Sequence, residues 1–192
     1  MLVLDTLDIT YISSLWLVEP KKGSVSAVFH EIWDPNRGIV HKYIIHVDPK
    51  EKNIKITPLN PAYGRTKIVI DGLDMPLGLA VDPYSNNVYW TDQGTFSIGV
   101  ASLEAALKGQ IKSNKRLYTS KYLGVPRYIA VDPIRRALYW SERQDDWERI
   151  HKSDILGKSQ DIIWHEFGTL DIGSISVELR SVFNHIIHSP NS

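Results

Sequence analysis

Short apolar runs separated by turn-forming residues recur along the chain, and none approaches the roughly 18 consecutive apolar residues of a membrane-spanning helix. After Pro76, the run Leu79-Ala80-Val81 is stopped by Asp82-Pro83; Tyr84-Ser85-Asn86-Asn87 supplies turn chemistry, and Val88-Tyr89-Trp90-Thr91 is β-branched and aromatic. That order of signals predicts two antiparallel strands joined by a tight turn. Ile129-Ala130-Val131, Asp132-Pro133, Ile134 to Ala137 and Leu138-Tyr139-Trp140 repeat it. Strand-like runs flank the hairpins at Lys67 to Ile70, Ser97 to Val100, Arg116 to Tyr118, Arg149 to His151 and Asp161 to Trp164. Ser102 to Gly109 breaks the pattern as a short helical insertion, with Ser102 as N-cap and Gly109 as its stop.

Aligned on itself, the sequence shows why the pattern recurs. LDMPLGLAVDPYSNNVYWTD, from Leu73 to Asp92, matches LGVPRYIAVDPIRRALYWSE, from Leu123 to Glu142, without gaps at a displacement of 50 residues. With about four strands per unit, this is the signature of an all-β propeller, its spacing lengthened beyond the common ~40–45 residues by the helical insertion. We expect one domain over 1–192, a partial or degenerate propeller of about four four-stranded blades. The clearest repeats cover 73–122 and 123–169, with degenerate blades over 1–72 and 170–192. In the first of these, Leu17-Val18-Glu19-Pro20 stands for the Ala-Val-Asp-Pro strand end and Val28 to Glu31 for its partner, followed by strands at Val40 to Val47 and Ile54 to Ile56. In the last, Ile175-Ser176-Val177-Glu178 and Ile186-Ile187 play those parts.

Strand alternation puts Tyr89 and Thr91 on one face and Trp90 and Asp92 on the other, so both faces must be covered. Tyr139 and Trp140 follow the same rule. Asp82 and Asp132 are placed to cap the turns shaped by Pro83 and Pro133, and Asp92 and Glu142 to accept hydrogen bonds at the strand ends. Carboxylates repeated at equal displacement indicate a packing solution, because an active site is normally singular.

Tyr-Trp-Thr-Asp at 89–92 after Gly-Leu-Ala-Val-Asp-Pro at 78–83, with Tyr-Trp-Ser-Glu at 139–142, resembles the YWTD, or class B, repeat of low-density lipoprotein receptor-like proteins. Such repeats form six-bladed propellers in endocytic lipoprotein receptors, Wnt co-receptors and nidogen. Ile150-His151-Lys152 and the Asp154 to Gly157 turn approximate the strand and turn that follow the motif in the family. Ile98-Gly99-Val100 lacks the basic residue. The resemblance is clear from about Ile68 to Ile163. It implies a non-enzymatic, extracellular ligand-binding module of an endocytic or signalling receptor, with a protein ligand (lipoprotein, growth factor or matrix protein) and no cofactor. The alternatives are a calcium-dependent lactonase-type propeller enzyme, or a matrix adhesion protein of the nidogen type.

Composition narrows the field further. Twenty-two Lys plus Arg against 22 Asp plus Glu gives no basic stripe for nucleic acid, and the absence of Cys excludes thiol catalysis, Cys-ligated metals and a disulfide scaffold. No His-Glu-x-x-His, Gly-x-Ser-x-Gly or phosphate-binding glycine motif occurs, so no catalytic or metal residue is assigned. Asp5 and Asp8 interrupt the first apolar stretch, which reads poorly as a signal peptide. Targeting and membrane attachment are therefore expected from regions outside this chain. Arg143, Trp147 and Arg149 form a mixed-charge loop that serves either as a ligand contact or as a solvated loop with Trp147 folded back on its blade. His151 and His165 are ordinary packed histidines or, as the resemblance suggests, pH sensors for ligand release. Finally, 192 residues hold about four blades where the family closes its ring with six. An open arc of this kind is expected to be a fragment, or to dimerise or aggregate in isolation.

Overall fold

A computed structural model describes residues 15–19, 23–110, 115–119, 124–168 and 171–177. Thirteen strands, one α-helix and one 3-10 turn (Pro61–Tyr63) follow in chain order among these residues. β1 (Leu15–Glu19), β2 (Gly23–Asp34), β3 (Ile39–Asp48), β4 (Asn53–Pro58) and β5 (Lys67–Ile70) form the first sheet. The second contains β6 (Pro76–Asp82), β7 (Asn87–Asp92), β8 (Ser97–Ser102) and β9 (Lys115–Thr119). The third contains β10 (Val125–Asp132), β11 (Ala137–Gln144), β12 (Trp147–Asp154) and β13 (Gln160–Phe167). Each is an antiparallel meander with neighbours in sequence adjacent in space, which is the build of propeller blades. No helix among the described residues is long and apolar enough to cross a membrane.

One turn recurs four times. Asp34, Asp48, Asp82 and Asp132 each end a strand, and each carboxylate accepts the N–H two residues on, at 2.9 Å from Asn36, 3.1 Å from Lys50, 2.9 Å from Tyr84 and 3.0 Å from Ile134. The fifth residue of each turn adopts positive φ: Gly38 at 65°, Lys52 at 55°, Asn86 at 52° and Arg136 at 52°. Gly and Asn suit that conformation; Lys52 and Arg136 take it at a steric cost of about 1–2 kcal/mol, held by the hairpin on either side.

The recurrence corrects the reading of the first blade. Asp34-Pro35, not Glu19-Pro20, is the equivalent of Asp82-Pro83 and Asp132-Pro133, since Ile32 faces His41 across its hairpin as Ala80 faces Tyr89 and Ala130 faces Tyr139. Leu15 to Glu19 instead pairs with Gly23 to Ala27 and adds a fifth strand to the edge of the sheet. Three sheets are thus formed by the described residues. Residues 171–177 then return over the third sheet, where Ile172 and Ile175 are buried against Ala130, Tyr139 and Ile150. The expected partner strand at Ile186-Ile187 lies outside the described residues.

α1 (Leu103–Leu107) sits where the sequence places it: the Ser102 hydroxyl accepts from Ala105 N, and Gly109 ends it at φ 77°. It buries Leu103 and Ala106 in the core between the first two sheets, with Leu79, Val81, Val88 and Trp90 from the second and Ile45, Val47, Ile54 and Ile56 from the first. Tyr89 points the other way, into the core shared with Ile129, Val131, Leu138 and Trp140 of the third sheet.

The seam between the second and third sheets is also polar. β6 and β10 each carry a bulge, at Leu77-Gly78 and at Arg127-Tyr128, where the pairing register shifts. A bulge leaves a backbone N–H without its ladder partner. The Thr91 hydroxyl accepts the Gly78 N–H at 2.8 Å and donates to the Arg127 carbonyl of the next blade at 2.6 Å; Ser141 accepts the Tyr128 N–H at 3.1 Å. A Cβ on Gly78 would run into that same Arg127 carbonyl, and would lie 2.8 Å from Thr91 Oγ1 and 3.1 Å from Ile129 N.

Gly78→Ala should therefore cost about 1–3 kcal/mol by forcing the two blades apart. Thr91→Val should cost about 1–3 kcal/mol by orphaning the buried Gly78 N–H, whereas Thr91→Ser should restore most of the loss. Urea denaturation of the three variants checks this, and equal stability of Thr91→Val and the parent would refute the bridging role.

Candidate functional site

The richest chemistry among the described residues lies at the end of the third sheet that carries the β11–β12 turn. Glu142 is buried there, with Arg149 Nη1 at 3.3 Å and His151 Nε2 at 3.2 Å. Burial alone would raise its carboxyl, but the His151 imidazole, the Gly124 N–H and Arg149 outweigh that and hold it below the ordinary carboxylate range. Gln160 Nε2 lies 2.7 Å from His151 Nδ1; with the amide donating, the imidazole proton sits on Nε2 and faces Glu142. The ring itself stacks on Trp140, with centroids 5.1 Å apart and planes 5° from parallel.

Gly99 occupies the corresponding position in the second sheet, opposite Trp90 as His151 is opposite Trp140. A Cβ on Gly99 would strike the Trp90 ring. One blade lays its tryptophan over bare backbone and the next lays it against an imidazole. His151 is thus a buried stacking and hydrogen-bonding partner.

The other strand-end acid behaves differently. Asp92, shorter by one methylene, accepts from the backbone N–H groups of Asp74 at 3.0 Å, Met75 at 2.8 Å and Gly94 at 3.2 Å, tying the loop that leads into β6. Asp132 accepts from Ile134 N, Arg135 N and Arg135 Nη1, while Asp82 accepts from Tyr84 N and the Ser85 hydroxyl.

Arg143, Trp147 and Arg149 do not converge. Arg149 turns inward to Glu142 and to Gln144 Oε1 at 2.5 Å. Arg143 lies 3.7 Å from Glu148 Oε1, and Arg127 approaches the same oxygen at 3.7 Å; the carboxylate is buried without a direct hydrogen bond. Burial pushes the Glu148 carboxyl up, with Asp171 adding to the rise and the two guanidiniums opposing it. Arg127 in turn hydrogen-bonds Asp171, pinning the returning segment.

Trp147 remains at the surface. Its ring packs on His165, centroids 5.6 Å apart, and edge-on against Phe167 at 5.3 Å, a cross-strand cluster between β12 and β13. Trp147 keeps 36% of its surface and Phe167 64%. His165 thus joins Trp147, and His151 does not. Phe167 escaped the sequence reading because only the β12–β13 register brings position 167 beside 147; a Phe two polar residues beyond the apolar run Ile162-Ile163-Trp164 was the available signal.

His30 was likewise missed. It is buried on β2 with Nε2 2.7 Å from Asn86 Oδ1, linking the first sheet to a turn of the second. Burial lowers its pKa below the ordinary histidine range, and His46 is lowered for the same reason, helped by Lys55. No group of three or more His, Asp or Glu among the described residues is arranged to hold a metal ion.

No family model matches the chain. It is 40% identical over 96 residues to low-density lipoprotein receptor-related protein 5 of Mus musculus, covering 50% of this chain and 6% of that protein. Against the vitellogenin receptor of Solenopsis invicta it is 26% identical over 99 residues, covering 52% and 5%. In three dimensions it superposes on a chain of a nidogen/laminin complex with a TM-score of 0.59 at 18% identity, covering 80% of this chain and 66% of that one. A Kuenenia stuttgartiensis hydrazine synthase gives 0.52 at 18% identity, covering 82% and 45%. The structural likenesses speak to the fold alone.

A lowered histidine makes the folded state bind fewer protons than the unfolded chain, so its contribution is present above about pH 6.5 and lost as pH falls below that value. Thermal midpoints should drop by about 2–4 °C between neutral pH and pH ~5.5. The drop should be smaller in His30→Asn; an unchanged slope in that variant would remove His30 as the cause.

Proposed function

Since this chain is a YWTD-repeat domain of the low-density lipoprotein receptor family, we propose that it acts as a non-enzymatic, extracellular protein-binding module of a receptor of that kind. The observation that carries the proposal is the sequence match to a receptor-related protein and a receptor, alongside blades whose repeated Tyr, Trp and acidic side chains are occupied in packing and hydrogen bonding. The chain spans about a twentieth of the length of those relatives, so ligand capture by a whole receptor belongs to the proposal as well.

The contact surface we assign is the exposed cluster of Trp147, His165 and Phe167. Aromatic side chains held rigidly by cross-strand neighbours lose little entropy on binding, and Trp is enriched at binding hot spots. A protein ligand, whether lipoprotein, growth factor or matrix protein, would cover the Trp147 and Phe167 rings. His151, buried and stacked on Trp140, lies outside this surface.

Binding of the purified chain to immobilised lipoprotein, growth factor and laminin tests the proposal. Trp147→Ala should weaken the ligand that binds by about tenfold or more, with a thermal midpoint within about 2 °C of the parent. Loss of fold together with binding would make Trp147 structural, and calcium-dependent lactone hydrolysis by the chain would replace the receptor reading with an enzymatic one.

A further inference from the structure

The first sheet treats its two faces differently. Val28, His30 and Ile32 on β2 are buried toward the second sheet, whereas Phe29, Glu31 and Trp33 alternate with them onto the opposite face and are exposed, Trp33 at 58%. On β3, Val40 and Lys42 share that exposed face and Ile44 is partly exposed on it. Cross-strand register sets Phe29 opposite Ile44, Glu31 opposite Lys42 and Trp33 opposite Val40.

The positions of Glu31 and Lys42 have a clear counterpart in the other blades. Three residues before the turn Asp and eight after it, the second sheet has Leu79 facing Trp90 and the third has Ile129 facing Trp140. These pairs fill the seams with the preceding blade. In the first sheet the same two positions hold an ion pair, Lys42 Nζ to Glu31 Oε1 at 3.1 Å, with side chains 64% and 61% exposed. A preceding blade of the same design would bury both charges against apolar side chains, at high cost. The face nevertheless keeps Trp33, Phe29 and Val40 uncovered around the pair.

The geometry points to a second copy of this chain as the occupant of that face, in a two-fold dimer that packs the first sheets together. With the two-fold axis parallel to the strands and midway between β2 and β3, β2 of one copy lies over β3 of the other. Glu31 then meets Lys42 of the second copy, Trp33 meets its Val40 and Phe29 meets its Ile44. Each cross-strand pair is reproduced across the interface, so the face is its own complement in charge and in apolar surface, as an isologous contact requires. Four alternating charges in the centre would be flanked by two aromatic anchors from each copy.

Charge exchange tests this directly in the whole chain. Sedimentation equilibrium should give a dimer for the parent. Glu31→Lys and Lys42→Glu should each weaken self-association by at least about tenfold, because each leaves like charges facing one another. An equimolar mixture of the two variants should form a heterodimer, and the double exchange Glu31→Lys with Lys42→Glu should recover the dimer. Both side chains are exposed, so β-rich circular dichroism and thermal midpoints close to the parent's serve as the folding control. A parent that stays monomeric at all concentrations overturns the inference, even if its Trp33 proves shielded from quenchers. So does a dimer indifferent to either reversal, or a failure of the mixture to associate.

Discussion

A four-stranded sheet buried on both faces cannot use the simple alternation of an amphipathic strand, and that constraint governs this molecule. Successive residues of β7 and β11 must each find a partner sheet: Tyr89 and Tyr139 look forward along the chain, Trp90 and Trp140 backward. Two large aromatic rings in sequence are the economical answer, since each buries about 150–250 Å² on its own side. The bulges in β6 and β10 follow from the same demand. Where β6 and β10 shift register the ladder breaks, and the hydroxyl after the Tyr-Trp pair replaces the lost acceptor. Thr91 does two things at once, satisfying its own blade's Gly78 N–H and holding the next blade's Arg127 carbonyl. The motif is best understood as the material of a seam, with aromatic rings for area and a hydroxyl for registration.

What was legible in the sequence was whatever repeats. The second and third sheets, their turns and the capped helix at Leu103–Leu107 follow from local signals that agree with one another: Asp-Pro, a positive-φ position, and alternating β-branched and aromatic residues. The first blade was misplaced because His41-Lys42-Tyr43-Ile44 stands where Tyr-Trp-Thr-Asp is expected, so the aromatic signature vanished while the fold persisted. Its backbone chemistry did not vanish. Asp34, Asp82 and Asp132 stand 48 and 50 residues apart, each with Pro next to it, and a search on the turn would have found all three. Asp48-Pro49 builds the same turn once more at the other end of the first sheet, the kind of coincidence that makes a short motif ambiguous without the pairing register.

The candidate surface was less legible for a different reason. Arg143, Trp147 and Arg149 are close in sequence, yet alternation sends Arg143 toward Glu148 and Arg149 toward Glu142, leaving Trp147 to meet His165 and Phe167. Proximity along a β-hairpin is a poor guide to which side chains gather. Cross-strand register is the relevant coordinate, and it depends on where each bulge falls, here between Ile150 and His151. Glu148 was invisible for the same reason: nothing in its neighbourhood marks it as buried between two guanidiniums until Arg127 arrives from another strand.

Comparison of equivalent positions shows how a repeat acquires individuality without losing its fold. The turn aspartates keep one role in every copy because the backbone N–H they accept is part of the turn itself. The strand-end acids diverge: Asp92 stays short and binds the loop backbone, while Glu142 reaches Arg149 and His151. That longer reach is possible only because His151 replaces Gly99, and His151 fits only because it can stack on Trp140 in a plane that Trp90 fills over its glycine. The three changes are coupled, so none of them would be expected to transfer singly from one blade to the next. Exchange at Glu31 and Lys42 is of another kind, because it alters a face toward which no described sheet is packed and leaves the hairpin beneath it unchanged. Seam-facing positions are constrained by two sheets at once and change in concert. Positions on an outward face answer to one sheet within the chain, and there a charge pair can stand where the other two blades carry leucine or isoleucine facing tryptophan.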